Sequence, residues 1–348
     1  MWHLSKIPKK AHFYWGNSIL PIDRFLSIAS FAANNRDWAV LMHRPLGLAE
    51  ELDTSWETHE HKKIKSCSTG NCFWDALSKL DNVEVVKHDF DFLGGMSEVH
   101  KSDFLRWELL ANDGGLWSDI DILYLRPMDD VYFNVAEPCV VDVDGFKVSL
   151  EPDIIAEVFC ASSLEHGGPF NSIGFLMSSP GSEVFKELCR LRDFTIEKGG
   201  AKTLKRDYQS LGRKLLDLMV HQHPFLTGSP SYKKAQLSWG DTAIITTDLQ
   251  LGAYAEVPLP GGINIPMDVV YPYGDHTILK ALRPNDYQNW LITDRTIGVH
   301  WYGGHPKVGP MMASWNMENL DDLPASILKD LICEVVSKHK DYLFPALP

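Results

Sequence analysis

The chain has 348 residues, of which 45% are hydrophobic and 23% charged, and its formal net charge at pH 7 is −13. These values are typical of a globular protein with one large α/β domain or two smaller ones, and the acidic balance disfavours nucleic acid as a partner. No apolar run reaches the roughly 18 to 20 residues that span a bilayer, and the first residues lack the apolar core of a signal peptide. We therefore expect a cytoplasmic protein without a membrane span.

The N-terminal third alternates between short apolar runs and helical patterns, which is typical of βαβ units. A helix that opens at Pro21 separates the first two runs. Because helices lie between successive strands, we expect the strands to pair in parallel. The predicted strands are at residues 11–16, 37–45 and 82–90.

A helix is predicted to start after Ser97, a plausible N-cap, and to stop at the glycine pair at 114 and 115. The strand predicted next is apolar except for two acids. Its alternation would put Asp119 and Asp121 on one face together with Trp117 and Leu123. An ionised carboxylate is costly to bury unless it is paired or bound to a metal, so these two acids need an explanation.

The rest of the chain has less regular patterns, without an internal repeat or a low-complexity linker. We therefore expect one continuous domain, 1–348, with an acceptor-side excursion near 47–75 and an insertion near 128–170. Further predicted strands are at 138–146, 172–179 and 295–303, helices at 181–192, 207–219 and 322–343, and an irregular region at 259–274.

Two carboxylates at i and i+2 on a strand have Cα atoms ~7 Å apart, a spacing that suits a hard divalent cation with open positions for phosphate oxygens. In α/β sheets, ligands bind at the carboxyl ends of the strands, where such acids would reach them. Three other interpretations of Asp119 and Asp121 stay open. They are a solvated edge strand, the acid pair of a metal-independent glycoside hydrolase, and a non-catalytic sugar-nucleotide or glycan-binding module.

The surroundings of the two acids favour one family. The stretch KSDFLRWELLANDGGLWSDIDILYLRP, residues 101–127, resembles the signature of D-x-D glycosyltransferases. These are the family-32-like enzymes related to Och1-type mannosyltransferases and to the glucosylating toxins of clostridia. The shared features are S-D-x-x-R on a helix, a G-G turn, an aromatic residue and D-x-D. The resemblance implies a GT-A fold, with a mostly parallel central sheet flanked by helices, and a nucleotide-sugar donor. It also implies Mn²⁺ or Mg²⁺ and transfer with retention of configuration.

The resemblance implies roles for residues in and around the signature. Asp103 and Arg106 match the pair that holds the donor's sugar and nucleotide, and Trp117 takes the aromatic position before D-x-D. Asp121 matches the direct metal ligand, and Asp119 matches the partner that contacts the ribose or the ion's waters.

Two further residues match the family outside the signature. In AHFYWGN, Trp15 is the candidate platform for the nucleotide base, although a core tryptophan remains an equal alternative. In PFNSIGF, Asn171 matches the asparagine that faces the sugar.

The stretch GVHWYGGHPKVGPMMASWN resembles the family's closing element. His300 matches the histidine that completes the metal site, and Ser314 and Trp315 match the pair that lies over the diphosphate. The interval between His300 and Ser314 is longer than in the family, so His305 remains an alternative ligand.

These matches predict a metal-dependent retaining glycosyltransferase that uses a nucleotide-sugar, with UDP-sugar as the first candidate. Because no carboxylate stands out as a covalent nucleophile, front-face attack is preferred over double displacement. The acceptor is open. A glycan of a surface polysaccharide is the first expectation, and a protein side chain or a modified DNA base are the alternatives.

Overall fold

The computed structural model describes thirteen stretches of the chain. They are residues 7–47, 72–93, 96–130, 141–143, 146–148, 158–165, 168–204, 210–216, 262–265, 267–275, 277–286, 288–314 and 319–344. Within them, no helix is long and apolar enough to cross a membrane.

The described residues form short strands and helices of varied length. The strands are β1 Lys10–Tyr14, β2 Ala39–Pro45, β3 Val83–His88, β4 Gly115–Ser118, β5 Ile122–Tyr124, β6 Val141–Val143, β7 Phe146–Val148, β8 Val158–Glu165, β9 Gly168–Ser178, β10 Gly262–Ile265 and β11 Gly298–His300. The α-helices are α1 Ile22–Asn34, α2 Trp74–Leu77, α3 Glu98–Asn112, α4 Glu183–Leu204, α5 Val308–Ser314 and α6 Ile327–Leu343.

The chain divides into two compact units, which the backbone enters more than once. The first unit comprises Met1–Pro8, Asp91–Trp117 and Phe133–Pro266, and the second comprises Lys9–Phe90, Ser118–Tyr132 and Met267–Pro348. The single domain expected from the sequence stays a prediction. Most of its proposed excursion at 47–75 and insertion at 128–170 lies outside the described residues.

The second unit contains the predicted parallel strands. β1 pairs with β2 and β2 pairs with β3, both in parallel. α1 connects the first two strands and starts directly after Pro21, whose ring fixes a backbone angle suited to a helix start. Its buried face carries large apolar side chains, among them Phe25 and Phe31. β5 pairs antiparallel with β11 in the same unit.

The first unit has the strand order β10-β8-β9-β4. β10 and β8 are parallel, and β8 and β9 are antiparallel. α3 begins after Ser97, whose hydroxyl accepts a hydrogen bond from the His100 amide at 3.4 Å. The turn after α3 uses positive φ values of 65° at Gly114 and 97° at Gly115. These observations confirm the mixed α/β class with a mostly parallel sheet.

The prediction of one continuous strand after the glycine pair is wrong. Residues 119–121 form a turn between β4 and β5, so Asp119 and Asp121 do not alternate on one strand face with Trp117 and Leu123. The carboxylates would be buried in a continuous strand, and the turn lets both approach a common point. Their spacing is therefore set by the turn and not by the strand repeat.

Other boundaries also differ from the sequence prediction. The region expected to be irregular contains β10, and the helix expected over 181–192 continues to Leu204 as α4. The last helix starts later than predicted because Ser326 caps it, accepting a hydrogen bond from the Lys329 amide at 3.2 Å. Of the helix predicted at 207–219, only residues 210–216 are described.

Candidate active site

Two acids and a histidine converge in the second unit. Asp119, Asp121 and His300 each place one ligand atom so that these atoms lie within 4.8 Å of one another. Asp119 and Asp121 are partly exposed, and His300 is buried. Residues from two segments far apart in the sequence therefore form one cluster of metal-ligating side chains.

Strand pairing explains how His300 reaches the acids. In the antiparallel register of β5 and β11, His300 lies opposite Ile122, the residue after Asp121. The Trp301 amide extends this pairing by donating to the Asp121 carbonyl at 2.9 Å. α1 holds the same strand, because the Ser27 hydroxyl donates to the Ile122 carbonyl at 2.6 Å.

The Asp121 carboxylate contacts three groups. Its Oδ1 lies 3.0 Å from His300 Nε2, and its Oδ2 accepts a hydrogen bond from the Gly303 amide at 2.8 Å. The Arg24 Nη1 lies 3.7 Å from the same Oδ2. Burial works to raise the pKa of the carboxyl, but the contacts with His300, Arg24 and the Gly303 amide hold that pKa below its ordinary value. Asp121 is therefore kept ionised.

The orientation of His300 is set by the residues around it. The Tyr302 amide donates to His300 Nδ1 at 3.3 Å, and the rings of Tyr271 and Tyr302 lie 4.9 and 4.3 Å from the imidazole. Since Nδ1 accepts a hydrogen bond, the proton of a neutral ring is on Nε2, facing Asp121. Tyr302 makes this contact with a φ of 54°, the left-handed region that costs a residue with a side chain some strain.

The cluster fits a hard divalent cation. In octahedral coordination of an ion such as Mg²⁺, neighbouring ligand atoms are roughly 3 Å apart and opposite ones about 4 Å. The 3.0 Å between His300 Nε2 and Asp121 Oδ1 agrees with neighbouring ligands, and the three ligand atoms lie within 4.8 Å of one another. Two carboxylates and an imidazole are suitable ligands for Mn²⁺, and a cation at Nε2 would require the neutral ring to carry its proton on Nδ1 instead.

Trp15, the predicted base platform, lies directly after β1 and is partly exposed. Its amide donates to the His43 carbonyl at 3.1 Å, and its indole Nε1 donates to the Ile19 carbonyl at 2.7 Å. The guanidinium carbon of Arg24 lies 5.7 Å from the ring centroid. The indole is thus held in place in the same unit as the acid cluster.

The first unit contains the other predicted donor residues of the signature. Asp103 and Arg106 form a buried ion pair, with 3.1 Å between Oδ1 and Nη1. The Arg106 guanidinium lies 5.0 Å from the ring of Trp117, which is also buried. At Gly212, an added Cβ would lie 2.6 Å from Asp103 Oδ2, so the backbone there packs closely against the pair. Contact of these residues with a donor stays a prediction.

The remaining predicted residues have different outcomes. Asn171 lies in β9 opposite Ser162, and its side chain is not among the described parts. Ser314 is exposed at the end of α5, where its hydroxyl donates to the Met311 carbonyl at 2.9 Å. Trp315 lies outside the described residues.

His305 is not a member of the acid cluster. Its Nδ1 accepts hydrogen bonds from the amides of Lys307 at 3.2 Å and Val308 at 3.4 Å, at the start of α5. In the described part of the chain, the converging histidine is therefore His300.

Sequence reasoning missed Arg24 and Gly303. The signal for Arg24 was available, because Asp23 and Arg24 interrupt an otherwise apolar helix start, PIDRFLSIASF. The Gly303 amide binds Asp121, and a Cβ there would lie 2.1 Å from Arg24 Nη2. Nothing in a loop with several glycines marks that one.

No protein-family model matches the chain, and comparison with curated proteins gives no match. Among solved structures, the PaToxG glycosyltransferase is 16% identical over 66% of this chain and 74% of its own, with a TM-score of 0.38. The glycosyltransferase GlyE of Streptococcus pneumoniae TIGR4 is 10% identical over 94% of this chain and 60% of its own, with a TM-score of 0.37. The UDP-bound glycosyltransferase domain of the YGT toxin is 10% identical over 92% of this chain and 79% of its own, with a TM-score of 0.33. Likenesses with TM-scores this low do not assign an activity, which has to be argued from the site.

Proposed function

We propose that this protein is a GT-A glycosyltransferase that moves a sugar from a nucleotide-sugar to an acceptor with the help of a divalent cation. The observation that carries the proposal is the convergence of Asp119, Asp121 and His300. The resemblance of residues 101–127 to the D-x-D signature, which contains both acids, also supports it.

The acid cluster suits the departure of a diphosphate. A divalent cation held there would act as a Lewis acid on the phosphate oxygens of the donor. Asp121 would contribute a carboxylate that stays ionised, Asp119 would contribute a second carboxylate, and His300 would contribute Nε2 in the tautomer protonated on Nδ1. The backbone amide of Gly303 fixes the Asp121 carboxylate without adding a titrating group.

The donor is proposed to be a UDP-sugar, with its base against the indole of Trp15. By the resemblance, Asp103 and Arg106 orient the sugar and nucleotide. Further candidates for donor contacts are Asn171, Trp117, Ser314 and Trp315.

The reaction is proposed to retain the anomeric configuration by front-face attack. The bond between the anomeric carbon and the diphosphate oxygen breaks, and the bond to the acceptor oxygen forms on the same face. The acceptor's hydroxyl proton passes to the departing phosphate. A glycan of a surface polysaccharide is the first acceptor to test, followed by protein side chains and modified DNA bases.

Asp121 is not suited to the acid role in the rival glycoside hydrolase. A hydrolase of the usual kind needs a carboxylic acid whose pKa is raised so that it can protonate the leaving group. The pKa of Asp121 is held low instead. Its role as a general acid is therefore disfavoured.

Hydrolysis of the donor tests the proposed function without knowledge of the acceptor. The protein is incubated with a panel of UDP- and GDP-sugars and Mn²⁺, and the released nucleotide is measured by mass spectrometry. We expect slow release from at least one donor and its loss with EDTA or in Asp121→Asn. Asp113→Asn is the matched control, since Asp113 is exposed at the end of α3. EDTA-resistant release, or full activity of Asp121→Asn, would contradict the metal-dependent proposal.

A further inference from the structure

Arg24 is built into the acid cluster of the second unit. It lies in the first turn of α1, and its side chain is 17% exposed. Its Nη1 donates to the Ile120 carbonyl at 3.2 Å, inside the turn that carries both acids. Its Nη2 faces Gly303, where even a methyl group would lie at 2.1 Å. The guanidinium is therefore held on two sides by backbone.

The guanidinium also lies close to two proposed parts of the donor site. It is 5.7 Å from the Trp15 ring and 3.7 Å from Asp121 Oδ2. In a nucleoside diphosphate, the phosphates connect the base to the metal-bound end. A donor with its base on Trp15 and its diphosphate at Asp121 would have to pass beside Arg24.

If Arg24 interacted only with the proposed metal ligands, its guanidinium would weaken the binding of a cation there. It is a fixed positive charge next to a carboxylate that would bind a cation, and like charges repel. The cost is offset when a diphosphate binds, because arginine matches phosphate with paired, charge-assisted hydrogen bonds. Asp23 is the neighbouring acid on α1, and its Oδ2 lies 3.5 Å from Arg24 Nε. Burial raises the pKa of Asp23, while the charge of Arg24 works to lower it.

We propose that Arg24 binds the diphosphate of the nucleotide donor and is a specificity residue for it. The inference rests on the proposed function, since it assumes that a nucleotide occupies this site. It adds a residue of α1 to the donor contacts that the sequence resemblance implies.

The test compares the binding of three probes by titration calorimetry: Mn²⁺ alone, uridine, and UDP with saturating Mn²⁺. Arg24→Met removes the charge and keeps an apolar stem, and Arg24→Lys keeps the charge without the fork. Arg36→Met is the matched control, because Arg36 is an exposed arginine of the same unit, paired with Asp81 at 2.8 Å. Circular dichroism and thermal melting establish that each variant folds.

We expect Arg24→Met to weaken UDP binding at least about tenfold, with an intermediate loss in Arg24→Lys. Uridine binding should not change, and Mn²⁺ should bind as tightly as before or more tightly. A parallel loss of Mn²⁺ and UDP binding would mean that Arg24 only positions Asp121, and it would overturn the proposal. Should Arg24→Met fail to fold, Arg24→Lys decides by the same three probes.

The two proposals fail in different ways. If the unmodified protein binds UDP with Mn²⁺ and Arg24→Met binds it equally well, only the role of Arg24 is wrong. If the unmodified protein binds neither uridine nor UDP, the nucleotide-sugar function itself is wrong, and this inference is overturned with it.

Discussion

Three histidines form a hydrogen-bonded line across the parallel strands of the second unit, and they predict a loss of stability in mild acid. His12 Nδ1 lies 3.0 Å from His43 Nε2, and His43 Nδ1 lies 2.8 Å from His88 Nε2. A neutral imidazole has one donor and one acceptor, so a line of neutral rings satisfies both nitrogens of His43. Burial, with smaller contributions from the two neighbours, holds the pKa of His43 well below 6.5.

The sign and size of the effect follow from linkage. The pKa of His43 is about 6.5 in the unfolded chain and lower in the folded one, so its contribution is present above pH 6.5. It is lost as pH falls from there towards the folded pKa, because only the unfolded chain takes up the proton. One excluded proton changes the free energy of unfolding by about 1.4 kcal/mol per pH unit. Between about pH 7.5 and about pH 5.5, His43 should therefore contribute a loss of about 1.4 kcal/mol.

The assay is urea unfolding at several pH values, compared between the unmodified protein and His43→Gln. A glutamine amide can donate and accept in the same line but does not titrate. The free energy of unfolding of the variant should therefore fall less steeply with falling pH. The difference between the two slopes should correspond to about one proton, whatever the stability of the variant at neutral pH. Titration of the histidine ring signals by NMR measures the folded pKa directly. Equal pH slopes in the two proteins, or a ring that titrates near its ordinary value, would refute the reasoning.

Three further substitutions test the turn, the helix cap and the base platform. Gly114→Ala should lower the thermal midpoint more than Gly181→Ala. Both glycines have positive φ, but only at Gly114 would an added Cβ contact backbone atoms, at 2.6 Å. Equal shifts of the midpoint would contradict a steric clash at Gly114. Ser97→Ala should cost about 1 kcal/mol in urea unfolding through loss of the α3 cap, and an unchanged midpoint would contradict that role. Trp15→Ala should weaken UDP binding by about ten- to a hundredfold, as expected for lost base stacking, whereas an unchanged affinity would reject Trp15 as the platform.

Local chemistry explains which parts of the fold were predictable. Pro21, Ser97 and Gly114 mark helix ends through their own backbone or side-chain preferences, and α1 and α3 begin and end there. The parallel pairing of β1 to β3 followed from the helical segments between them. The extension of α4 to Leu204 was not predicted, because its later turns contain a glycine pair that weakens the helical pattern.

The break at residues 119–121 could not be predicted from the period of the sequence. The segment from Gly115 to Tyr124 alternates well enough for one strand, yet β5 leaves that strand to pair with β11. This pairing depends on a segment far away in the chain, and no local pattern reports it. The acids themselves were the available signal, because a continuous buried strand would leave them without solvent.

In the metal-ligating cluster, sequence motifs identify the residues, but only the fold determines the distances between them. The D-x-D motif names two acids and the closing element names His300, but the distances between them come from the register of β5 and β11. If β11 slipped by one residue, Val299 would lie opposite Ile122, and the side chain of His300 would turn to the other face. The amide of Gly303 would move with it, and Asp121 would lose two of its contacts at once. The candidate site therefore requires this short antiparallel pair, and substitutions that weaken the pair should reduce cation binding even where no ligand is changed.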